Sequence, residues 1–531
     1  MENNNFKNGI IGGILSPDMP SGNKGNVISS VVCNKTASID VGGEFTLPEH
    51  LPEIRKLIKV EVRPSPASEF LSGGGLQLGG GMEYIAVYLG LDGLVYSASF
   101  PGEYNFSISL DEGIGGTEGA CVWSNVYPES AVSRVSGARR INVRCRLMAK
   151  ATVLNEKTLD CGAAIPNEEH IQKLCKKASY FTELHGCKDD IELVDSVDTS
   201  DEGVRYLYSD CKVFVEDAIN GSGYADCRGY ALAKHFMCRE NGELYTVINK
   251  IPFSEAVEID KLSSGSPVCI IGACSDIGVN MQDIDSEADG KMKLTIRARL
   301  DAAAFNEGEL EYVKDIYSTD CECSAECETN RLPLLLACKN GNMTFSGSEQ
   351  LSAMGISGDE VNIVDVSGGV RCESVVSEGN KCILNGKCRF GIVYFGESAE
   401  DMGYSECELP FRYEFDGKSG DISRYECSIA SSEPRVRRDG DKINFDCELS
   451  VSCFALGEGE AKAVNAVKME CIAKKEKRGF TVCYPDKNDS LWSVAKRYRA
   501  SVLNTARSNG MGDVADADDI RLPEGKKYMI V

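Results

Sequence analysis

The sequence has few of the residues and patterns on which most catalytic and metal-binding sites depend. Only four of its 531 residues are histidine, and none stands at helical ligand spacing from another. No two cysteines form a Cys-x-x-Cys pair, which disfavours zinc ribbons and thioredoxin-like redox sites. Neither a G-x-S-x-G elbow nor an H-E-x-x-H helix occurs. We therefore predict no catalytic residue, no metal site and no cofactor, and expect a protein that is not an enzyme.

Basic residues and long apolar runs are also scarce. The chain has 57 Lys and Arg against 81 Asp and Glu, a formal net charge of −24. A nucleic-acid-binding protein needs a basic face for phosphate contacts, so that class is disfavoured. No run approaches the roughly 18 to 20 apolar residues of a membrane span, and the N-terminus has no pattern of a secretory signal. We expect no nucleic-acid binding, no membrane insertion, and a chain that stays in the compartment where it is made.

Cysteine, by contrast, is abundant, with 24 residues scattered along the chain. Without an export signal, we predict that most thiols are reduced and buried, since a buried thiol behaves as a small apolar side chain. The tightest group is Cys321, Cys323 and Cys327, which an extended strand would place on one face. A metal ion held by this group is the less favoured alternative.

One pattern recurs three times along the chain. The segments RRINVRCRL, KLTIRARL and KINFDCEL end at Leu147, Leu300 and Leu449, at intervals of about 150 residues. Apolar and polar residues alternate in each segment, as in a half-buried strand. An apolar strand and, downstream of it, a proline at Pro101, Pro252 or Pro410 precede each segment in the same order. We predict a mainly β fold with Ile141, Leu294 and Ile443 at equivalent core positions.

The predicted domain limits follow from this repeat. After a flexible tail at 1–27, we expect three tandem β-rich repeats of about 120–150 residues. Their limits are 28–150, 178–305 and 331–470, and a different module follows at 479–531.

Three connecting segments carry weaker signals. Apolar spacing and an early proline predict short helices at Leu51–Val60 and at Pro166–Cys175. The glycine-rich segment Ser72–Gly81 lacks the Gly-Lys-Ser/Thr ending of a phosphate-binding loop. We predict that it is a flexible connection between strands.

The character of the chain changes at Gly479. The last 53 residues hold eight Lys and Arg against seven Asp and Glu, so this part is nearly neutral. The pattern predicts a strand at Phe480–Val482, a helix from Leu491 with Ser490 as its N-cap, a helix at Val502–Arg507 and a final strand at Tyr528–Val531. The result is a small βααβ module.

This module resembles the LysM family. The run Asp489-Ser490-Leu491-Trp492 matches the family's loop and helix start, Asn509 matches the Asn after its second helix, and Leu522–Ile530 matches its closing pattern. It departs from the pattern at Asn488, which replaces a glycine, and at the long acidic connection Gly510–Arg521. The resemblance implies a rim that binds N-acetylglucosamine chains of peptidoglycan, or a protein-docking surface. The expected rim residues are Asn488, Asp489, Ser490, Leu491, Trp492 and Asn509.

Trp492 leaves two interpretations open. The apolar stripe of the predicted helix contains Leu491, Val494, Ala495 and Tyr498, and Trp492 lies roughly 100° from Leu491 around the helix. The indole then either covers the edge of the module's core or contacts a partner.

Three β repeats followed by a LysM-like module resemble the SPOCS (spore coat structural) family of clostridial endospore formers. The matching residues include Phe45–Pro48, Pro52–Ile54, the proline-centred strands and Asp315–Ser318. The resemblance implies a scaffold of the endospore coat. Such a protein is made in the mother-cell cytoplasm and assembled at the forespore surface, where it binds a coat or coat-basement protein, cortex peptidoglycan or both.

Two other functions remain as alternatives. Self-association could make the chain a polymerising coat or appendage subunit, because edge strands can pair between chains. A LysM-bearing cell-wall hydrolase is disfavoured, because the three repeats leave no room for a separate catalytic domain.

Overall fold

The computed structural model describes residues 27–531 except 73, 111–118, 160–167, 169, 199–203, 281–290, 357–360, 397–400, 471–479, 513 and 515. Most of the described chain is β-strand, with two short helices near the C-terminus. The prediction of a mainly β protein is therefore confirmed. The expected N-terminal tail lies outside the described residues except for Val27, where the first strand begins. The described residues contain no helix that is both long and apolar enough to cross a membrane.

Six sheets form three pairs, each built by a consecutive part of the chain. The first unit contains β1 (Val27–Thr46), β2 (Ile54–Pro64), β3 (Ser68–Ser72), β4 (Gly75–Gly90), β5 (Val95–Ser109), β6 (Cys121–Gly137) and β7 (Arg140–Thr158). The second contains β8 (Ile171–Asp198), β9 (Arg205–Asn220), β10 (Tyr224–Cys238), β11 (Leu244–Glu258), β12 (Val268–Asn280) and β13 (Lys291–Ser318). The third contains β14 (Glu322–Gln350), β15 (Asn362–Glu378), β16 (Lys381–Phe395), β17 (Gly403–Asp416), β18 (Ile422–Ser431), β19 (Arg435–Asp439) and β20 (Lys442–Glu470).

The three units have the same strand connections once the short strands β3 and β19 are set aside. In each unit the first, sixth and fifth strands form one antiparallel sheet, with the sixth in the centre. The second, third and fourth form the other, with the third in the centre. Ile141, Leu294 and Ile443 are fully buried, each on the last long strand of its unit. The strands extend past the expected repeat limits, over 27–158, 171–318 and 322–470.

The predicted helix at Leu51–Val60 is wrong, because this segment enters strand β2. The strand pairs with β4 and has register shifts between Ile54 and Lys56 and between Leu57 and Lys59. Each β-bulge adds a residue and breaks the alternation of period two. The resulting spacing of Ile54, Leu57 and Ile58 imitates one face of a helix.

Two further predictions for connecting segments are wrong. The segment from Ile171 to Cys175 is the start of β8, paired with the end of β13, while Pro166 and Asn167 lie outside the described residues. Most of the glycine-rich segment belongs to β4, which lies between β3 and β5. Leu76 and Leu78 of that segment are fully buried, so cross-strand packing fixes a stretch whose composition suggested flexibility.

Each unit has an apolar core, and one further apolar cluster is shared by all three units. Trp123 of the first unit, Phe305 of the second and Phe454 of the third belong to one buried cluster. The ring centroids of Trp123 and Phe454 are 5.5 Å apart, and those of Phe305 and Phe454 are 5.1 Å apart. Aromatic rings at these distances in edge-to-face geometry attract one another. The units are therefore packed against each other rather than strung on linkers.

The pairs β8–β13 and β14–β20 continue beyond the third strand of their sheets, β12 and β18. Their outer parts form a region that we call the stalk, residues 171–180, 308–318, 322–332 and 461–470. One buried cluster there joins Tyr180 and Leu310 to Leu332 and Ala461, and another joins Ile316 to Val464. The stalk therefore has an apolar interior of its own.

The C-terminal module contains β21 (Thr481–Cys483), α1 (Leu491–Tyr498), α2 (Val502–Ser508) and β22 (Tyr528–Ile530). Ser490 is the N-cap of α1, as predicted, and its hydroxyl accepts a hydrogen bond from the amide of Ser493. Such caps satisfy backbone donors that the first turn leaves free. The order strand, helix, helix, strand agrees with the sequence pattern.

Candidate functional site

The C-terminal module is docked on the stalk of the second unit. The Trp492 ring lies 5.0 Å from the Tyr317 ring, and its Nε1 donates a hydrogen bond of 2.8 Å to Oδ2 of Asp315. Lys496 forms an ion pair of 2.6 Å with Asp315, and the Tyr317 hydroxyl donates to the carbonyl of Ala500 at 2.6 Å. Two members of the segment Asp315–Ser318, on which the family resemblance partly rested, thus contact the module.

The acidic connection of the module also faces the stalk. Lys314 pairs with Asp518 at 2.8 Å, and Lys176 pairs with Asp519 at 3.0 Å and with Asp516. These ion pairs are partly exposed, so each one is worth little by itself. Together they attach the acidic connection to two stalk lysines.

Asp489 and Ser490 stabilise the start of α1. Asp489 accepts hydrogen bonds from the amide of Asp486 at 2.9 Å and from the guanidinium of Arg497 at 2.6 Å. Burial alone would raise the pKa of Asp489, but these two donors lower it below its usual value. Ser490 caps the helix and donates to Asp518 at 3.2 Å. Both side chains are buried and are engaged by the module itself.

The other predicted rim residues also have structural contacts. Asn488 adopts the left-handed conformation at φ 78°, and its carbonyl accepts from Arg521 at 2.8 Å. A glycine fits such a φ without strain, and asparagine tolerates it better than most residues. Leu491 is fully buried. Asn509 exchanges hydrogen bonds of 2.6 and 2.7 Å with the backbone of Met529.

The predicted rim is thus divided between two hydrogen-bond networks. Asp489 and Ser490 bond within the start of α1 and to the acidic connection, whereas Asn509 ties α2 to β22. Among the described residues, no hydrogen bond joins Asn509 to the other five. Trp492 is only 5% exposed, because its ring lies against the stalk and not in solvent.

Replacing Asp315 by alanine should loosen this docking. Trp492 and Lys496 would both lose their partner, at a cost of about 1–2 kcal/mol to the docked state. Hydrogen exchange of the full-length chain should then speed up in α1 and in 510–521 but not in the three units. Glu524→Ala is the matched control, because Glu524 is an exposed carboxylate of the same module outside the acidic connection. Equal exchange in both variants would contradict the docking role of Asp315.

A second feature of the module is an apolar face that sequence reasoning did not identify. Of 18 exposed large apolar side chains in the described part of the chain, seven belong to this small module. Val482 and Met529 are cross-strand partners and both are exposed, whereas the neighbouring pair Cys483 and Tyr528 is buried. Phe480 and Tyr484 directly flank β21 and are 64% and 63% exposed. If the alternation of the strand continues by one residue at each end, both lie on the side of Val482.

We call this surface, made of Phe480, Val482, Tyr484, Met529 and Val531, the outer sheet face. Scattered exposed apolar residues are normal, but a contiguous group indicates an interaction site. The available signal in the sequence was the apolar residue at every second position from 480 to 484. Three alternating positions are too few to distinguish an exposed strand face from chance.

A charged cluster is buried where the three units meet. Lys59 of the first unit donates to the Tyr208 hydroxyl of the second at 2.6 Å, and Tyr208 donates to Asp365 of the third at 2.9 Å. Lys234 forms ion pairs of 2.5 Å with both Asp365 and Glu433. Burial would raise the pKa of Asp365, but Lys234 and then Lys59 outweigh it and lower that pKa. The carboxylate therefore stays charged and joins all three units.

One arrangement in this region has the form of a catalytic dyad. Ser209 Oγ and His235 Nδ1 are 2.5 Å apart, and Tyr206 donates to the same hydroxyl at 2.8 Å. However, His235 is completely buried and Ser209 nearly so. Burial lowers the pKa of His235 to about 4, so the ring is neutral at physiological pH. A serine that substrate cannot reach is better explained as a buried hydrogen-bond partner.

The cysteines and acidic residues give no sign of a metal centre in the described residues. No group of three or more potential ligands is close enough there to hold a metal ion, and this includes Cys321, Cys323 and Cys327. All 22 described cysteines are unbridged, and 12 of them are buried. Thiol counting on denatured protein, prepared without reductant, is the direct measurement of this state.

Comparisons with protein-family models, with curated proteins and with solved structures find no match to this chain.

Proposed function

We propose that this chain is a non-enzymatic scaffold of the endospore coat and that its C-terminal module binds a coat protein through the outer sheet face. The apolar, solvent-exposed outer sheet face is the observation that carries the proposal. Aromatic residues and methionine are enriched at protein interfaces, and Phe480, Tyr484 and Met529 are of these types. We further propose that the three units are copies of one SPOCS-like repeat and that the module is a LysM-like domain.

A protein partner accords better with the contacts than a glycan does. The rim on which sugar binding would depend is engaged inside the chain, with Trp492 against Tyr317 and Asn509 against Met529. The acidic side of the module is neutralised by Lys176 and Lys314, whereas Lys526 and Lys527 beside β22 are exposed. The partner that fits is a coat or coat-basement protein with an apolar patch bordered by carboxylates.

Removing the two aromatic rings tests this surface. The double substitution Phe480→Ser and Tyr484→Ser should abolish the accumulation of a fluorescent fusion at the forespore of sporulating cells, because hot-spot aromatics carry most of the energy of such an interface. Thermal unfolding should change little, since both side chains are exposed. Leu503→Ser is the matched control, because Leu503 is exposed on α2 of the same module.

Three outcomes would contradict the proposal. Unchanged localisation of the double variant would exclude the outer sheet face. Co-sedimentation of the purified chain with cortex peptidoglycan, unaffected by the double substitution, would favour the glycan alternative. A clearing zone in peptidoglycan zymography would favour the hydrolase.

Self-association remains the second candidate function. Strand β6 is an edge strand of the first unit, and it exposes Val132 and Val135 to solvent. An exposed edge with apolar residues is a template for pairing with another chain. Negative-stain microscopy of the purified protein distinguishes filaments from single particles.

A further inference from the structure

A small cavity lies where the three units meet. Its volume is about 160 Å³. Strand β1 of the first unit, β8 and β13 of the second, and β14, β18 and β20 of the third all contribute to its wall. Val31, Arg331 and Glu458 line the cavity and are exposed, so it is open to solvent on that side.

The buried part of the lining is largely apolar and partly aromatic. Phe181 and Phe305 belong to the apolar cluster shared by the three units, whereas Leu332 belongs to the interior of the stalk. Aromatic side chains attract a further ring in offset or edge-to-face geometry. An engineered cavity of about 150 Å³ with a lining of Leu, Ile and Phe admits benzene. The cavity therefore has room for one six-membered ring.

The charged side chains of the lining balance one another. Glu183 accepts hydrogen bonds of 2.7 and 2.9 Å from Arg424, and both side chains are 4% exposed. Nearer the solvent, Arg331 pairs with Glu458 at 3.6 Å. Transfer of an ion out of water is costly unless it is paired, and each of these charges already has its partner. The lining therefore favours a neutral ligand over a free anion or cation.

One polar group at the cavity is left without a hydrogen bond. The Nε of Arg424 is buried and has no hydrogen-bond partner among the described residues. Its contact with Glu426 measures 3.7 Å, which is too long for a hydrogen bond. A buried donor without an acceptor costs free energy, so a ligand that brings an oxygen to Arg424 gains affinity.

We propose that this cavity is a binding site for a neutral ligand with a single phenolic ring. The ring packs against Phe181 and Phe305, and its oxygen accepts a hydrogen bond from Arg424. The inference does not depend on the proposed function, since no described residue of the C-terminal module lines the cavity.

Two sources can supply such a ring, a free small phenol or a tyrosine side chain of another protein. The probe for the ring itself is p-cresol, which is the tyrosine side chain without its backbone. The probe for a side chain on a backbone is the acetylated and amidated tripeptide of glycine, tyrosine and glycine. Binding of p-cresol without the tripeptide identifies a free phenol as the ligand, and binding of both identifies a tyrosine.

Calorimetric titration of the native full-length protein measures the binding. We expect p-cresol to bind saturably at one site per chain. The isosteric p-xylene should bind about tenfold more weakly, because it lacks the oxygen that pairs with the guanidinium. Since the cavity exists only when the three units are packed together, p-cresol should also raise the midpoint of thermal unfolding.

Hydrogen exchange locates the ligand without any substitution. The residues of the lining lie in segments 28–31, 331–333 and 456–458, on the first and third units, and at Phe181 and Phe305 on the second. Saturating p-cresol should slow exchange in these segments together. Protection confined to the C-terminal module would overturn the proposal.

Variants that fill the cavity test the same location. Ser30→Trp adds an indole to the wall from the first unit, and Ser423→Phe adds a ring to the wall from the third, so each should abolish p-cresol binding. Asn34→Trp is the matched control, because Asn34 is exposed on β1 outside the lining, and it should bind p-cresol like the wild type. The double substitution Phe480→Ser and Tyr484→Ser should also leave the binding unchanged. No saturable binding by the wild type, equal affinity for p-cresol and p-xylene, or binding that survives both filling variants would overturn the proposal.

Discussion

Asp365→Ala is expected to lower the free energy of unfolding by about 3 kcal/mol, because it removes the carboxylate that two buried lysines share. The loss is at the lower end for a buried pair, since each lysine keeps one other carboxylate. The Asp365 side chain is 1% exposed and lies 2.5 Å from the ammonium of Lys234 and 3.9 Å from that of Lys59. It also accepts the hydrogen bond of Tyr208. The substitution therefore removes the partner of groups from the first and second units at once.

Urea unfolding of the full-length chain, followed by circular dichroism, measures this loss. Asp416→Ala is the matched control, because Asp416 pairs with Lys381 on the surface with its side chain 94% exposed, and it should have little effect. The folded pKa of Asp365 is lowered, so its contribution is present above the unfolded pKa and is lost as the pH falls through the folded one. The difference between wild type and variant should shrink over that range. A pH-independent difference, or one no larger than that of the control, would contradict this role.

The regular strands could be predicted because their signal is local. The alternation from Ile141 to Leu147 is uninterrupted in the sequence, and the structure pairs this stretch continuously with β1. The segment at Leu51–Val60 has apolar residues of the same kinds, but two bulges disturb their spacing. A bulge is determined by the partner strand, which a local pattern does not reveal.

The helices and strands of the C-terminal module were predicted more accurately than the contacts of its candidate site. Ser490 and the apolar stripe of α1 are encoded within a few residues, so the helix start was correct. The neighbours of Trp492 are Asp315 and Tyr317, which lie far away in sequence. The indole's position off the stripe was visible from helical spacing, but the surface that it covers depends on how the long strands of the second unit extend.

The charged cluster could not be predicted from the sequence. Lys234 occurs in an apolar strand without a charged neighbour that indicates a partner. Lys59 has Glu61 two residues along its strand and pairs with it at 3.5 Å, but this local pair does not indicate the contact with another unit. The partner of both lysines, Asp365, belongs to a different unit, and the contact exists only because the three units pack against one another. Contacts at such junctions are determined by tertiary packing, which the periodicity of the sequence does not reveal.

A second junction gives the other large expected effect, at Glu183. Its carboxylate accepts hydrogen bonds of 2.7 and 2.9 Å from Arg424 of the third unit and one of 2.9 Å from Trp123 of the first. The side chains of Glu183 and Arg424 are each 4% exposed. Glu183→Ala should therefore cost about 3 kcal/mol, since the buried guanidinium loses both hydrogen bonds and keeps only the longer contact of 3.7 Å with Glu426. Glu183→Gln retains an acceptor for Trp123 and should cost less.

Glu183→Ala also tests whether the three units unfold together. The control is Glu309→Ala, which removes an exposed partner of Lys177 in the second unit and should leave the unfolding midpoint nearly unchanged. If the shared core couples the units, Glu183→Ala should shift one cooperative transition, seen alike by circular dichroism and by tryptophan fluorescence. Separate transitions, with only part of the signal shifted, would show that the units fold independently. In that case the contacts of Glu183 would hold already folded units together and would not contribute to a single cooperative fold.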